Sequence, residues 1–575
     1  MHMSFIKPFK FWCQKVLPLV YDDSLSYYEV LCKVVHYINE LIDEDARIIG
    51  MIGEQTSPYI NVKDFGAVGD GETDDTAAFQ KAIDFCADNN QQLMITAGRY
   101  LISETLTANK SITIAGDGID NSVLMPSVDL ANNNGPVISI KQKDHKTASV
   151  ISNGLHAGNL FNAGDHVVRI SGTSLSIKPG DIIRLVGTFA TYPWVADNRG
   201  SLVYGETNFV ESVAQVDASS VDVALREPLA FTIAESVNDT PVLFTAQYAP
   251  ALSVVSLSKF SIEPKLTSAN NRLYNGIQIE DCAFADIHEI KVSGCGNIGI
   301  QSAHSYMTNI HDCVAVDCYS LQNGSVYATG YGLRLNADRA SVITNCRGTD
   351  CRHFVDISGD YPAIECEINS NTCSIGIEGA AVGGINTHGT AYKCKIVNNI
   401  VNGFDKAIQI GGEACIIDGN KCNSRIQIAF GNNHTITNND VLGIRILVPD
   451  INDGSRFIII DNNVFHDPAA VNFASVTGAN YSNVYGFYFT HNKIIVNNTT
   501  AGYWADFRYC GATEITFTRG TVVKNNYAYI RKSPYDTTSN ANVFLLLDNS
   551  VRKNDNQTIT FGVSQYDRVY VDEST

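Results

Sequence analysis

The chain has 575 residues, of which 45% are hydrophobic and 18% are charged, so it is long enough to bury a large core. Its 41 basic and 60 acidic residues give a net charge of −19, which argues against a nucleic-acid partner because phosphate backbones bind basic surfaces. We expect neither membrane insertion nor a secretory signal, because no apolar run is long enough and Lys7, Lys10 and Lys15 interrupt the N-terminus.

Residues 1–55 predict a helical segment that differs from the rest of the chain. Asp22, Asp23 and Ser24 offer an N-cap ahead of an apolar pattern with 4-3 spacing. The pattern consists of Leu31, Val35, Ile38, Ile42, Ile49 and Ile52. β-Branched residues at both core positions favour three strands over two in a coiled coil. The segment therefore predicts a trimeric stem, or alternatively an amphipathic helix packed against its own chain.

Residues 56–160 begin with a second helical pattern. Its helix is expected to start near Asp74, with Thr73 or Asp74 as the N-cap. The buried face is predicted to contain Ala78, Phe79, Ala82, Ile83 and Cys86. The segment Val62–Gly71 precedes this helix with the sequence VKDFGAVGDG, and Thr73–Ala77 continues it with TDDTA.

These two stretches resemble the opening motif of the pectate-lyase-like superfamily, which includes phage tailspikes, polysaccharide depolymerases and pectinases. Gly98–Ile102 and Ile112–Gly118 are similar to its first rungs. The resemblance implies an all-β, right-handed parallel β-helix whose N-terminal end is capped by the helix. It also implies that the aspartates of the motif cap the helix and shape its turn. These aspartates are Asp64, Asp70, Asp74 and Asp75.

Residues 161–260 interrupt the rung pattern. Ile177–Leu185, Tyr204–Glu206 and Val221–Leu229 predict hairpins of a small inserted sheet beside the groove. Tyr192, Trp194 and Tyr204 lie in this polar stretch and are candidate substrate-binding residues, because exposed aromatic rings stack on sugar faces. Packing of these rings against the rod is the alternative.

Residues 261–530 carry ten segments in which a hydrophobic residue is followed, three positions later, by Cys or Asn. They are Ile279–Cys282, Ile310–Cys313, Ile343–Cys346, Ile368–Asn371, Ile396–Asn399, Ile417–Asn420, Ile436–Asn439, Ile460–Asn463, Phe489–Asn492 and Val523–Asn526. Successive Cys or Asn residues are 19 to 34 positions apart, which is typical of a solenoid with inserted loops. We expect the Asn amides to hydrogen-bond along the stack. Residues 531–575 are expected to close the C-terminal end.

Cysteine usage supports the same interpretation. Eleven of the 15 cysteines lie between Cys282 and Cys422, where we expect them to be small buried apolar residues. Stacked thiols favour assembly in a reducing cytoplasm. The sequence has no Cys-x-x-Cys pair and no histidine cluster with zinc-ligand spacing, so neither a metal nor a cofactor is expected.

The glycosidase and calcium-dependent lyase signatures of the superfamily are mostly missing, so the candidate site is inferred from neighbouring rungs. His388 is expected to act as general acid or base near neutral pH. Asp356 or Glu378 would orient His388 or serve as the second carboxyl, and Asp405 lies one rung further on. Arg352 and His353 are candidates for binding an anionic part of the substrate, and Glu413 is a further substrate-binding candidate. A weaker second set is His304, His311 and Glu289.

The first residues of the chain carry a further resemblance. The segment Phe5–Leu31 resembles the virion-attachment segment of tail or neck-appendage spikes from phages of Gram-positive and gut bacteria. It implies a homotrimer whose residues 1–55 dock on tail or neck proteins of a virion assembled in the host cytoplasm. We therefore expect recognition of a bacterial surface polysaccharide or teichoic acid, and its hydrolysis, which is favoured over β-elimination because the calcium and lyase signatures are missing. The alternatives are a non-enzymatic adhesin on the same scaffold and, less favoured, an extracellular pectinase-like enzyme.

Overall fold

The computed structural model describes the core of the chain from residue 59 to residue 531. The described residues are 59–128, 130, 135–187, 204–237, 240–265, 274–319, 321–322, 325–326, 329–374, 383–404, 406–429, 431–448, 458–466, 471–475, 487–490, 492–495, 502–506, 515–518, 521–523 and 528–531. The predicted stem and most of the predicted closing segment lie outside them. In these ranges, no helix has the length and apolar character needed to span a membrane.

A helix follows the opening motif as predicted. Helix α1 (Thr76–Asn89) begins two residues after Asp74, and its face of Phe79, Ala82, Ile83 and Cys86 is buried. The expected N-cap was wrong, because Asp75 occupies that position without making a side-chain cap. The Asp75 carboxylate instead accepts hydrogen bonds from Val68 N (2.6 Å) and Gly69 N (3.1 Å), which fixes the preceding loop.

The other aspartates of the motif also shape turns. Asp64 accepts from the Asn61 N–H at 3.0 Å and caps the 3-10 helix Val62–Phe65, which follows the strand Tyr59–Asn61. Asp70 accepts from the N–H groups of Glu72 and Thr73, and Asp74 accepts from that of Thr76. These contacts are the structural role that the resemblance implied.

Three long parallel sheets form the faces of a parallel β-helix, and each rung contributes one strand to each face. The strands of sheet 1 are Tyr59–Asn61, Gln92–Ile95, Ile112–Gly116, Val255–Ser258, Asp286–His288, Asn309–His311, Val342–Thr344, Glu367–Asn369, Lys395–Val397, Ile416–Asp418, His434–Thr437, Ile458–Asp461, Phe487–Thr490 and Ile515–Thr518.

Sheet 2 follows sheet 1 in each rung. Its strands are Asp70–Asp74, Gly98–Ile102, Ser122–Pro126, Ser261–Ile262, Lys291–Ser293, Val314–Val316, Arg347–Thr349, Thr372–Ser374, Ile400–Val401, Lys421–Cys422, Asp440–Val441, Val464–Phe465, Lys493–Ile495 and Thr521–Val523.

Sheet 3 completes the rung. Its strands are Leu106–Ala108, Pro136–Lys141, Asn275–Glu280, Ile298–Ala303, Tyr331–Asn336, His353–Ser358, Ile385–Thr387, Lys406–Ile410, Arg425–Ile428, Gly443–Val448, Val471–Ser475, Gly502–Asp506 and Ala528–Arg531. Short pairs link Asn159–Phe161 to Ile233–Ala234, Ser236–Val237 to Thr240–Pro241, Leu321–Gln322 to Ser325–Val326, and Ala363–Ile364 to Ala391–Tyr392.

The core consists of aliphatic columns that run from rung to rung. Ile310, Ile343 and Ile368 are in register in sheet 1, and each is fully buried. Because side chains alternate across a strand, every second residue of a rung packs inside the coil. The described cysteines are buried, as their recurrence predicted, and they form no disulfide bonds.

The Asn ladder is confirmed from Asn371 to Asn492. The Asn371 side chain donates to Asn399 Oδ1 at 3.0 Å, and that of Asn399 donates to Asn420 Oδ1 at 3.0 Å. The contacts continue through Asn439 and Asn463 to Asn492 at 2.9 Å each. We call Asn371, Asn399, Asn420, Asn439, Asn463 and Asn492 the inner row.

Both ends of the ten-segment repeat were assigned wrongly. Ile279 lies in sheet 3, and the sheet 1 residue in register with Ile310 is Ile287. At the other end, Val523 lies in sheet 2, while Phe489 is in register with Phe517. A local hydrophobic-x-x-Cys/Asn pattern occurs at more than one corner of a rung, so it cannot identify the corner by itself.

The predicted hairpins belong to a closed antiparallel barrel. Its strands are Lys146–Ile151, Val167–Ser171, Asp181–Gly187, Tyr204–Gln215, Ser220–Leu225 and Phe244–Pro250. Its interior is a separate apolar cluster that includes Ile170, Leu185 and Val223.

Polar contacts attach the barrel to the β-helix. Arg339 pairs with Glu206 at 3.1 Å, and both side chains are almost completely buried. Thr207 donates to the Ala337 carbonyl at 2.9 Å, and Tyr306 donates to Glu227 at 2.7 Å. The barrel therefore lies beside sheet 3 in a fixed position.

Candidate active site on sheet 3

Asp356 is the centre of a charged cluster on sheet 3. Its buried carboxylate lies 3.1 Å from His388 Nε2 and 3.3 Å from Arg334 Nε, and it accepts hydrogen bonds from Ser358 Oγ (2.7 Å) and Asn386 Nδ2 (2.8 Å). Burial by itself would raise the pKa of Asp356, but His388 and Arg334 outweigh burial and hold that pKa well below its usual range. Asp356 is therefore an ionised carboxylate at neutral pH.

His388 is the titratable partner of this carboxylate. His388 follows the strand Ile385–Thr387, and 15% of its side-chain surface is exposed to solvent. The register pairs Asp356 with Asn386 and Ile357 with Thr387, so the stacking of two rungs brings Asp356 and His388 together. Asn386 Nδ2 lies 3.0 Å from His388 Nε2, on the side of the ring that faces Asp356.

A row of polar side chains extends from this cluster along sheet 3. Its members in register are Gln301, Arg334, Asp356, Asn386, Gln409 and Gln427, which we call the outer row. Gln409 donates to Asn386 Oδ1 at 2.9 Å, and Gln427 donates to Gln409 Oε1 at 3.1 Å. The charged members Arg334 and Asp356 lie in the middle of this row, and the next residue in register after Gln427 is the exposed Arg445.

Two arginines and an aromatic ring lie next to the cluster. The guanidinium groups of Arg334 and Arg352 lie 5.4 Å and 5.9 Å from the centroid of the Tyr331 ring. Tyr331 stacks on His353 at 5.5 Å. Burial, and then the charge of Arg352, lower the pKa of His353 to about 4, so His353 is neutral at neutral pH. Positive charge here comes from the two arginines.

The remaining predicted site residues are less informative. Glu378, Asp405, Tyr192 and Trp194 lie outside the described residues. Tyr204 begins a barrel strand, and its neighbour Gly205 packs against Tyr361. The buried Glu413 carboxylate accepts from the Asn432 N–H at 3.1 Å and from the Asn433 side chain, and burial raises its pKa. The roles assigned to these residues, and to His388, Asp356, Arg352 and His353, stay predictions.

Arg334, Ser358 and Asn386 are members of the cluster that sequence reasoning missed. Their signal is positional, because Arg334, Asp356 and Asn386 occupy the same place in three successive strands of sheet 3. An alignment of the rungs strand by strand would have shown this column of polar residues, whereas motif searches along the chain did not.

His304 belongs to a second network, at the junction with the barrel. It lies 3.1 Å from both Glu280 and Asp360, and Arg184 of the barrel pairs with Glu280 at 3.0 Å. Burial lowers the pKa of His304, but Asp360 and Glu280 outweigh it and raise the pKa to about 9. Hydrogen bonding to His304 in turn lowers the pKa of Glu280 to about 2. His311, predicted to accompany His304, lies in sheet 1 instead.

The fold and the opening motif agree with known families. Residues 59–199 match the family model described as rhamnogalacturonase A/epimerase, pectate lyase-like. The described residues form a parallel β-helix, as the resemblance implied.

Phage proteins are among the relatives. The chain is 26% identical to the pre-neck appendage protein of Bacillus phage B103 over 148 residues, which is 19% of this chain and 17% of that protein. It is also similar in structure to the tailspike gp61 of Pseudomonas phage phi297, with a TM-score of 0.57 and 15% identity, over 83% of this chain and 84% of that chain. The gp54 tailspike of Acinetobacter baumannii phage AP22, solved with A. baumannii capsular saccharide, gives a TM-score of 0.50 and 11% identity over 84% of this chain and 78% of that one.

Proposed function

We propose that this protein is a phage tail or neck-appendage spike that recognises a bacterial surface polysaccharide or teichoic acid and hydrolyses it. The observation that carries the catalytic part is the contact of His388 with the buried, ionised Asp356. The similarity to an appendage protein and to tailspikes supports the assignment to a virion. A tailspike solved with capsular saccharide supports the substrate class.

In the proposed mechanism, His388 transfers the proton and Asp356 positions it. His388 takes a proton from the attacking water or gives one to the leaving oxygen, as general acid–base catalysis requires. Asp356 holds the ring at Nε2, 3.1 Å from its carboxylate, while Asn386 donates a hydrogen bond to the same carboxylate. Asp356 does not serve as the general acid, because its pKa lies too far below neutrality. Glu378 or Asp405 would supply the second carboxyl.

Arg334 and Arg352 would bind the anionic part of the substrate. Their guanidinium groups lie on the Tyr331 ring beside Asp356, and guanidinium matches carboxylate and phosphate geometry. Both uronic acid polysaccharides and the phosphodiester chain of teichoic acid fit this requirement. The same proposal includes a homotrimer, with residues 1–55 docking on tail or neck proteins.

The test is product formation from cell-wall glycan and teichoic acid of candidate hosts, detected by mass spectrometry. Wild-type protein is expected to release low-mass products. His388→Ala should lower the rate by about 10²–10⁴-fold while retaining binding. The matched control is His466→Ala, because His466 also pairs with an aspartate, Asp440, but lies beside sheet 2. Equal loss in both variants, or full activity of His388→Ala, would remove His388 from the mechanism.

The second candidate function is a non-enzymatic adhesin. The observation that favours it is the outer row, whose amides and guanidinium group offer a repeated set of hydrogen-bonding groups along sheet 3. An adhesin binds host glycan without forming product, and its binding is insensitive to His388→Ala. The same experiment therefore separates the two functions.

A further inference from the structure

A cluster of two histidines and two aspartates lies on sheet 1, on a different face of the β-helix from the candidate active site. Asp286 and His288 belong to one strand, and His311 belongs to the next rung, directly opposite His288. The two imidazole rings stack at 4.9 Å with an interplanar angle of 9°. Because Ile287 between them is fully buried, Asp286 and His288 point outward together.

Both oxygens of Asp286 face imidazole nitrogens. Asp286 Oδ1 lies 3.1 Å from His311 Nε2, and Asp286 Oδ2 lies 3.1 Å from His288 Nδ1. His288 Nδ1 is shielded from solvent but makes no hydrogen bond within the described residues. The Asp286 carboxylate is therefore close to His288 Nδ1, yet the two groups make no hydrogen bond with suitable geometry.

The other nitrogen of His311 fixes its tautomer. His311 Nδ1 lies 2.7 Å from Asp312 Oδ2, and an N–H donated there leaves a lone pair on Nε2. That lone pair faces Asp286 Oδ1, so two electron-rich atoms oppose each other at 3.1 Å. Only a cation between them removes the repulsion, and that cation is either a proton or a metal ion.

We propose that Asp286, His288 and His311 form a binding site for a divalent transition metal of the Zn²⁺ class. Their ligand atoms all lie within 4.8 Å of one another. Donors about 2.0–2.2 Å from a tetrahedral zinc ion are about 3.4 Å apart, close to the 3.1 Å between Asp286 Oδ1 and His311 Nε2. His288 Nδ1 lies 3.1 Å from the other oxygen of Asp286. Two imidazoles with one carboxylate suit zinc, cobalt or manganese better than calcium.

Asp312 completes the arrangement as an outer carboxylate. A carboxylate that accepts from the second nitrogen of a ligating histidine orients the ring and increases its basicity. Asn345, one rung further, donates to Asp312 and holds it in place. Asn309 donates to Asp286 Oδ1 at 3.4 Å. The exposed fractions of the His288, His311 and Asp286 side chains are 23%, 26% and 42%. Because solvent reaches all three, water can serve as a fourth ligand.

This proposal departs from the expectation of no metal, and it does not depend on the proposed function. The site is not evident from the sequence, because Asp286 and His288 are 25 and 23 residues from His311 along the chain. The ion would join two successive rungs of sheet 1, between the strands Asp286–His288 and Asn309–His311.

The test is titration of the metal-free, reduced full-length protein with Co²⁺, followed by its visible absorption and by calorimetry. Wild type is expected to bind one ion per chain with the bands of a nitrogen–oxygen site and without a thiolate charge-transfer band. The second criterion matters because the chain has 15 cysteines. His311→Ala should abolish this binding, and Asp312→Asn should weaken it by about tenfold.

The control is again His466→Ala, which removes a histidine paired with one aspartate at 2.5 Å. It should leave Co²⁺ binding unchanged. If His311→Ala fails to fold, His288→Gln provides the same comparison. Absence of binding by wild type, binding with a thiolate band only, or equal affinity in wild type and the folded sheet 1 variant would overturn the proposal. In those cases a proton shared by His311, Asp286 and Asp312 accounts for the cluster.

Discussion

The inner row and the outer row are both columns of polar side chains repeated from rung to rung, yet they differ in composition. The inner row is asparagine at every position from Asn371 to Asn492, and each amide bonds both its neighbour and the main chain. The outer row changes from glutamine to Arg334, Asp356 and Asn386, and then returns to glutamine before the exposed Arg445 follows in register. In a uniform column each asparagine makes the same hydrogen bonds as the asparagine of the preceding rung, so no side chain needs a different partner.

The candidate site lies where the outer row departs from a uniform repeat. A charged group in place of one amide of a stack leaves its neighbours unmatched, so each charge needs an ionic or hydrogen-bonding partner. Arg334 supplies one for Asp356 within the outer row. Asp356 finds His388 and Ser358, and both lie outside the outer row. We infer that the buried charge of Asp356 in the outer row marks the candidate site, whereas the uniform inner row stabilises the fold.

The largest expected effect comes from the centre of the outer row. Asp356→Asn retains the shape but removes the charge that holds His388, so kcat should fall by about 10²–10³-fold while binding of the glycan persists. The measurement is steady-state kinetics on the glycan that wild type cleaves. A parallel fall in kcat with Asp440→Asn, at the His466 pair, would indicate a general loss of folding rather than a positioning role.

A single break in the inner row should affect stability and not activity. Asn420→Ala leaves the Asn399 N–H and the Ile396 carbonyl without their side-chain partners inside the coil. Each buried unsatisfied group costs about 1–3 kcal/mol, so we expect a loss of about 2–5 kcal/mol in the free energy of unfolding. Chemical denaturation measures it, and an unchanged midpoint would contradict the structural role of the inner row.

A smaller effect, dependent on pH, is expected at the junction with the barrel. The pKa of His304 is raised to about 9, so its stabilisation is complete below about pH 6.5 and is lost as the pH rises towards 9. The pKa of Glu280 is lowered to about 2, so its contribution is complete above about pH 4.5 and is lost as the pH falls towards 2.

The difference in melting temperature between wild type and His304→Gln should therefore be largest between about pH 4.5 and 6.5. We expect it to correspond to about 1–3 kcal/mol there and to shrink as the pH approaches 9. Thermal denaturation across this pH range checks the expectation. A difference that grows with pH would show that His304 is bound in its neutral form.

The smallest effect is expected at the neutral end of the outer row. Gln409→Ala removes one hydrogen bond to Asn386 and one each from Gln427 and the Lys406 ammonium, but leaves Asp356 paired with Arg334 and His388. The free energy of unfolding should fall by about 1 kcal/mol, and kcat should change only severalfold. A loss as large as that of Asp356→Asn would mean that the whole outer row, not its charged centre, forms the active site.

Much of the fold could be predicted because its signals are local. An aliphatic residue three positions before an asparagine defines a strand and a corner within four residues, and the inner row followed from that spacing. The capping helix was likewise predicted from its apolar face, although the position of its N-cap was not. Asp75 binds the preceding loop, a contact that depends on how Val68 and Gly69 fold back.

The candidate site was only partly predictable. His388 and Asp356 were identified as residue types suited to acid–base chemistry, but Arg334, Ser358 and Asn386 were not. Arg334 and Asn386 are 22 and 30 residues from Asp356 along the chain. Beyond the barrel, inserted loops vary the spacing between registered residues of sheet 1 from 19 (Ile417 to Ile436) to 33 (Ile310 to Ile343), so sequence distance does not identify neighbours.

The sequence alone therefore determined the type of rung, the buried columns and the opening motif, because each depends on residues close together in the chain. The tertiary structure decided which residues of different rungs meet. Register between parallel strands brings Asp356 to His388 on sheet 3 and His288 to His311 on sheet 1. Strand spacing of about 4.8 Å, rather than any local pattern, places their side chains within bonding distance.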